Sequence, residues 1–411
     1  MKVAGFIANR IAFNQQRSFS RFIIRLSVAA TVISVAVMII TLAFANGFQE
    51  KVSEKVFSFW GHIRVQEKQP FKALIAEEIP IEKDDTLAEA MRRHPQVESV
   101  SLFATKYAFL KTKEEIEGVL VKGVARDYNA AHFSRFIKEG RFIQFNDSSY
   151  SREIMLSDYT ARQLSLKVND RVMIYFTRPD GSPRPDRLTI CGIYKTGIEE
   201  YDRTFAVGDL KLLQRLNGWD STEAGGYEIF LQDYQQIDAV TQELYEMDGF
   251  PLTWDTQSVR NIAPNIFDWL NMQDVTRNFL IIAMVFVAAV NLITCLIILV
   301  LERVKMIGVL KALGATNWTI QVIFLRHALI ITITGILLGV ALGLGVLYLQ
   351  QATGFIKLQE DAYYLTEAAV KIVWWQIALV VAGTLLVCLL VLMIPTLLAR
   401  NVQPVKAIRF A

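Results

Sequence analysis

Four apolar runs dominate the chain, at residues 26–45, 279–301, 328–349 and 372–394, and none contains a charged side chain. A helix rising about 1.5 Å per residue needs roughly 20 apolar residues to cross hydrocarbon, so the pattern predicts four transmembrane helices. Just after the first run, Phe48, Val52, Lys55, Val56 and Phe59 fall on one side of a helix, which continues that run beyond the membrane. The mixed stretch 46–278 then changes period. Residues 62–66 alternate like a strand, 85–94 read as a helix stopped by Pro95, and 97–109 return to strand character. The same order recurs as a strand at 227–232, a helix at 236–245 and a strand at 250–254. Two βαβ-like halves thus bracket a middle piece with strands at 171–176 and 187–194 around a Pro- and Asp-Gly-rich turn, 177–186. The fold class expected is an α-helical membrane protein with four transmembrane helices and a large α+β extracytoplasmic domain carrying a β-rich insertion.

Charge sets the orientation. Residues 1–25 hold five basic side chains and no acid, 302–327 hold four basic and one acidic, and 399–411 hold three basic and no acid. The whole chain is only +3, so the remainder, chiefly 46–278, is net acidic. Short loops rich in Lys and Arg stay in the cytoplasm, which puts both termini inside and 46–278 outside. The expected divisions are a cytoplasmic amphipathic segment (1–25), the first span (26–45), the exported domain (46–278), the second span (279–301), a cytoplasmic connection (302–327), the third span (328–349), a short outer loop (350–371), the fourth span (372–394) and a tail (395–411). Ala43-Phe44-Ala45 has the form of a signal-peptidase site, but the long polar stretch before the first run favours a retained anchor. Cys295 and Cys388 lie inside runs, so Cys191 is the lone thiol of the exported domain and no disulfide forms within it.

Recognisable catalytic chemistry is missing. There is no G-x-x-x-x-G-K-[ST] loop for ATP, so power must come from another protein. His62, His94, His132 and His327 show no metal-ligand spacing and read as surface or capping residues, and Ser165 and Ser182 lack a nucleophile elbow. The acidic pairs Glu114–Glu115 and Glu199–Glu200 read as solvated loop carboxylates. Neither catalytic nor metal residues are expected, and no nucleic acid is expected as a partner.

Two segments have interaction character. Within 302–316, Val304, Ile307, Val309, Leu310 and Leu313 give a helix one apolar face while Lys305 and Lys311 stay in water. Such a helix either docks a soluble partner or lies on lipid headgroups. In the third run Gly335, Gly339 and Gly343 are four apart, a strip that admits close helix packing, either within the chain against the second or fourth span or between two copies. Asn291, Thr332 and Thr334 offer interhelical hydrogen bonds.

The segment Met306-Ile-Gly-Val-Leu-Lys-Ala-Leu-Gly-Ala315 resembles the coupling helix of ABC-transporter permeases of the MacB and FtsX superfamily. Pro395-Thr-Leu-Leu-Ala-Arg400 with Pro404-Val-Lys-Ala-Ile-Arg409 is similar to that superfamily's closing motif. Phe6-Ile-Ala-x-Arg10, Asn46-Gly-Phe48, Gly61-His-Ile63 and the block from Gly354-Phe-Ile-Lys-Leu358 to Tyr363-Tyr-Leu365 resemble its lipoprotein-releasing branch, the Lol permeases of LolC and LolE type. The resemblance implies a Porter-like part (60–117 and 225–260) with a Sabre-like insertion (118–224), in the bacterial inner membrane. It implies a cytoplasmic ATPase that binds ATP and Mg, a second permease subunit in a homo- or heterodimer, a lipoprotein substrate and a periplasmic lipoprotein carrier. Val304, Ile307, Gly308, Leu310, Lys311, Leu313 and Gly314 would couple to the ATPase. Phe44, Phe48, Phe279 and Ile282 would line a cleft for acyl chains where Asn46-Gly47 lets the chain change direction at the interface, or else belong to an interfacial aromatic belt or pack between spans. In the LolC type a projecting hairpin hooks the carrier. The turn 177–186 is shorter, which leaves carrier docking by Arg178, Pro179, Arg184 and Pro185 open, together with the choice among LolC-like, LolE-like and hybrid subunits. A MacB-like exporter of peptides or small molecules and an FtsX-like regulator of cell-wall hydrolases remain the alternatives.

Overall fold

The computed structural model describes residues 19–68, 78–146, 149–177 and 182–400. Two compact units emerge. One holds the chain up to Glu50, Trp269–Lys357 and the chain from Glu367; the other holds Lys51–Asp268 and Leu358–Thr366.

The apolar runs are helical and outgrow their charge-free cores, as Phe19–Trp60, Pro264–Glu302, Asn317–Thr353 and Trp374–Arg400. Three candidate spans are long and apolar enough to cross a membrane, and Trp374–Leu390 is a shorter apolar helix. Asn46-Gly47 does not break the first helix. Gly47 instead admits a neighbouring backbone: an added Cβ would lie 2.5 Å from Ala369 O. The connection 302–327 is not one element. A nine-residue helix, Val304–Ala312, ends at a turn through Gly314 (φ +88°), and Thr316 caps the third long helix by accepting from Thr319 N. The glycine strip packs on the first helix, not on the second or fourth. An added Cβ at Gly335 would lie 2.8 Å from Thr31 Cβ, and one at Gly339 2.8 Å from Val35 Cβ. Asn291 Nδ2 donates to Ser27 O at 3.1 Å, joining the second and first helices. Thr332 and Thr334 satisfy Ala328 O and Ile330 O of their own helix, so they do not bridge.

The other unit contains the strands β1 (Ile63–Glu67), β2 (Ile81–Glu82), β3 (Val97–Lys111), β4 (Ile116–Val124), β5 (Ile137–Gly140), β6 (Glu153–Ser157), β7 (Arg171–Thr177), β8 (Pro183–Tyr194), β9 (Phe205–Asp209), β10 (Glu223–Ala224), β11 (Gly226–Leu231) and β12 (Trp254–Ser258). Its main sheet runs β12-β1-β11-β3-β4-β9-β6-β8-β5. The two strand–helix–strand halves, with helices Asp85–Arg93 and Ile237–Tyr245, interlock in the order β12-β1-β11-β3, a split βαβ arrangement. The strand expected at 250–254 is a turn, because Gly249 takes φ +82° and Pro251 follows; β12 begins only at Trp254.

The inserted part shares strands with these halves. β3, β4, β9, β6, β8 and β7 pair in succession, and β7 returns to β3, which closes a six-stranded barrel. Closure leaves no open edge within the ring. Leu110, Val121, Ile154, Leu156, Ile174 and Leu188 belong to its buried core. The division at 117/118 falls inside β4. The β7–β8 hairpin has a narrower tip than the sequence implies, since Pro183–Asp186 pair with Thr177–Ile174. β8 gains its second neighbour only at Thr189, so Pro183 and Pro185 cost no ladder bond on that side.

The first helix ends inside this unit. Val52, Val56, Phe59 and Trp60 are buried, and the Phe59 ring lies 5.2–5.7 Å from those of Phe133, Tyr194, Tyr201 and Phe205. Its last carbonyls meet cations: Lys122 Nζ donates to Phe59 O at 2.6 Å and Arg64 Nε to Trp60 O at 3.3 Å. Glu228, fully buried on β11, balances them, 2.7 Å from Lys122 and 3.8 Å from Arg64. Burial pulls the Lys122 ammonium down to about 8 against the pull of Glu228, so it remains charged at neutral pH. His62 is buried too, not at the surface; its Nδ1 accepts from Leu231 N and burial pulls it down to about 3, which keeps it neutral.

Lys122→Met would leave Glu228 with Arg64 alone and strip Phe59 O of its donor. Removing one partner of a buried pair costs about 3–5 kcal/mol, so denaturant unfolding followed through the β-sheet signal should shift by that amount. A shift below about 1 kcal/mol would show that the pair carries no more than an exposed ion pair does.

Candidate functional site

The connecting helix Val304–Ala312 has two unlike sides. Ile307 is fully buried in a cluster with Leu292, Val300, Ile320 and Phe324, and Gly308 is buried beside it. Val304, Leu310 and Lys311 are half-buried, whereas Val309 is 50% and Leu313 80% exposed. Trp318, in the first turn of the following helix, is 73% exposed. The sequence groups Ile307 with the docking residues. In the structure it anchors the helix, and the open apolar side passes to Val309, Leu313 and Trp318, with Gly314 exposed in the turn between them. Trp318 carried a signal that periodicity alone passes over, a large aromatic two residues after a Thr cap in a basic segment. Large apolar side chains left open together mark an interaction surface.

The four residues assigned to an acyl-chain cleft do not share one wall. Phe44 packs with Ile281, Met284 and Val285 against a buried cluster of the helical unit. Phe48 meets Trp269 edge-on at 5.2 Å. Phe279 and Ile282 are exposed, whereas Ile281 and Met284, each two positions further on and so about 200° round the helix, pack inward. Phe279 and Ile282 join Met272, Val275 and Phe286 in a stripe of alternating three- and four-residue spacing, each member 59–69% exposed. That heptad-like spacing is legible in the sequence. It was masked there because every residue around it from 279 onward is apolar too.

In the sheet-bearing unit, Leu358–Thr366 packs among residues far away in sequence. Glu360 pairs with Lys195, and Lys55 Nζ donates to Tyr364 O. Beside them opens a cleft of about 250 Å³ whose lining includes Asp158, Arg162, Lys195, Asp202 and Glu360. Its charges are self-paired, Arg162 with Asp158 and Lys195 with Glu360. Burial raises the Asp202 carboxyl, against hydrogen bonds from Thr196 and Gly197 that favour its charged form. At the hairpin, Arg184 and Pro185 sit within β8 opposite Phe176 and Tyr175; Arg178 and Pro179 lie outside the described residues. His94 Nε2 lies 2.8 Å from Glu243, His132 stacks on Phe230 at 4.0 Å, and His327 is buried with both ring nitrogens unpaired, contrary to a surface or capping role. Among the described residues no group of three or more His, Cys, Asp or Glu side chains is placed to hold a metal ion.

Comparison with known proteins covers both units. The FtsX-like permease C-terminal family matches residues 278–404, and the MacB-like periplasmic core domain family matches residues 26–246. The lipoprotein-releasing system transmembrane protein LolC of Xylella fastidiosa is 23% identical, over 96% of this chain and 96% of that protein. LolE of Haemophilus influenzae is likewise 23% identical, over 99% of each. Among solved structures, the periplasmic region of MacB from Actinobacillus actinomycetemcomitans superposes with a TM-score of 0.35 at 10% identity, over 50% of this chain and 92% of that one. With more than half of its length matched by the MacB-like periplasmic core domain and the FtsX-like permease region following it, the chain belongs to the MacB/FtsX superfamily of permeases.

Proposed function

We propose that this chain is the membrane subunit of an ABC transporter that extracts lipoproteins from the inner membrane for delivery to the outer membrane, powered by ATP on a separate subunit. The observation that carries this reading is similarity to lipoprotein-releasing LolC and LolE proteins along essentially the whole chain, through both the helical and the sheet-bearing units. Similarity of that extent favours lipoprotein release over MacB-like export and FtsX-like regulation.

The work is mechanical. Each CH₂ of an acyl chain is held in the bilayer by about 0.8 kcal/mol, so a multiply acylated anchor does not leave unaided. The ATPase, with its ATP and Mg, docks on the cytoplasmic face made by Val309, Leu313 and Trp318; Ile307 transmits the push to the bundle it is buried in. The first helix, unbroken from Phe19 to Trp60, serves as the lever. Acyl chains enter along the stripe of Val275, Phe279, Ile282 and Phe286, beside a second permease subunit. Four helices span the membrane, both termini are cytoplasmic, and the sheet-bearing unit is periplasmic, where its barrel hairpin faces a lipoprotein carrier.

Three outcomes check this reading. In a background without native thiols, Ser149→Cys reacts with an impermeant maleimide in intact spheroplasts, whereas Thr316→Cys reacts only after permeabilisation; the reverse pattern would sink the topology. Leu313→Asp puts a carboxylate into the ATPase contact, and burying an unpaired charge there costs several kcal/mol. Co-purification of the ATPase should fall while membrane insertion persists, and unchanged co-purification would assign the helix to the lipid surface. A photocrosslinking residue in place of Ile282 should capture acylated lipoprotein before ATP is added and lose it afterwards, while one in place of Met284 should capture only the chain itself. Equal lipoprotein capture at both positions would refute the stripe.

A further inference from the structure

Two sequence blocks, Asn46-Gly-Phe48 and the segment after Gly354, have no role in docking the ATPase or lining the stripe, and the helical unit brings their neighbourhoods together. Gln350, buried at the end of the third long helix, accepts from Ile356 N at 2.9 Å and donates to Ala368 O at 3.1 Å. Ala368 N returns to Ile356 O at 3.0 Å, and the backbones of Lys357 and Glu367 form an isolated antiparallel β-bridge, so the two ends of the outer loop are tied into a neck. From that neck the chain crosses the first helix. Lys371 N donates to Ala43 O at 3.0 Å, Lys371 Nζ meets Glu50 Oε1 at 2.7 Å, and Asn46 Nδ2 donates to Gln376 Oε1 at 2.6 Å. Gly47 lies directly under the crossing, where an added Cβ would stand 2.5 Å from Ala369 O and 2.8 Å from Lys371 N.

A backbone can lie this close to a helix only where no side chain intervenes. Sliding the helix by one residue would turn it by about 100° and carry a side chain into the place of Gly47. The contact therefore fixes depth and rotation together. Its polar groups are only part-buried, with the Glu50 side chain 28% and the Lys371 side chain 42% exposed, which suits a contact that must let go and re-form.

We infer that residues 367–376 are a strap on the lever helix, and that Asn46, Gly47, Glu50 and Lys371 are positioning residues which make ATP turnover productive in lipoprotein release. The inference rests on the transport reading above. It assigns to the strap the task of returning the lever to one register in every cycle.

The test uses the full permease with its ATPase in proteoliposomes, measuring ATP turnover and ATP-dependent release of an acylated lipoprotein. Glu50→Lys and Lys371→Glu should each lower lipoprotein released per ATP by about tenfold or more while turnover stays within about twofold, since misplacement of a positioning element costs rate without unfolding it. Combining the two restores the opposite charges and should bring the ratio back to within about threefold of the unaltered protein. Gly47→Ala should uncouple in the same way. Singles that leave the ratio unchanged, that lose turnover and release in proportion, or that the charge swap fails to rescue would overturn the strap. An unaltered complex that hydrolyses ATP but releases no lipoprotein would overturn the transport reading instead. The strap is then judged by Glu50→Cys with Lys371→Cys in a thiol-free background, where a bis-maleimide with a spacer of about 8 Å, long enough to span positions beyond disulfide reach, should crosslink the pair without ATP, and absence of a crosslink refutes the contact.

Discussion

The capping of Phe59 O and Trp60 O by Lys122 and Arg64 is the interaction on which the periplasmic domain depends. A helix that ends in water leaves its last carbonyls to the solvent, but this one ends in a core of aromatic rings where water has no access. Donors must come from the protein, and two cations supply them. Two buried cations in turn need an anion, which Glu228 provides from the central strand β11. Gly61, at φ +64° directly after the helix, turns the chain so that β1 can begin, and an added Cβ there would lie 2.5 Å from Glu228 Cγ. Helix end, reversal and sheet are thus held by one set of charges. Arg64 adds contacts over the rings of Trp60 and Phe103, at 4.3 and 4.0 Å, so its charge is sheltered by π faces as well as by the carboxylate.

The helical unit follows a different rule. Lipid offers no gain for burying one apolar side chain against another, so close packing has to carry association. Glycines at 335, 339 and 343 let the third long helix lie against the first, and Asn291 ties the second to the first through Ser27. The first helix, which is also the one that enters the periplasmic domain, is thereby held by both of these neighbours. Residues that make no such contacts, Phe279, Ile282 and Phe286 among them, remain free for lipid, a second subunit or cargo.

Many of the functional features were legible because they depend on local order. Run length gave the long helices, and hydrophobic period gave the two strand–helix–strand halves. The basic segment after the second helix stood out by composition. Errors arose where local order was not decisive. Asn46-Gly47 looks like a break, yet the helix continues, since a glycine within a long apolar helix costs only about 1 kcal/mol and close approach by the strap supplies a reason for it. Ile307 and Leu313 look alike by spacing, and only the neighbouring helices decide that the first is buried and the second exposed.

What the sequence by itself determined is the set of long apolar helices, the exported α+β domain between the first two, and the short basic helix after the second, because each follows from hydropathy, period and charge within a few turns of chain. What only the tertiary structure decided is the closure of β3, β4, β9, β6, β8 and β7 into a barrel, the Lys122–Glu228 pair, and the crossing of Gly47 by the strap. The partners in that ion pair stand 106 residues apart, and Asn46 and Gln376 stand 330 apart. No local preference encodes such pairings; they arise because burial leaves a charge or a carbonyl without water, and the fold must bring it a partner from wherever the chain has one.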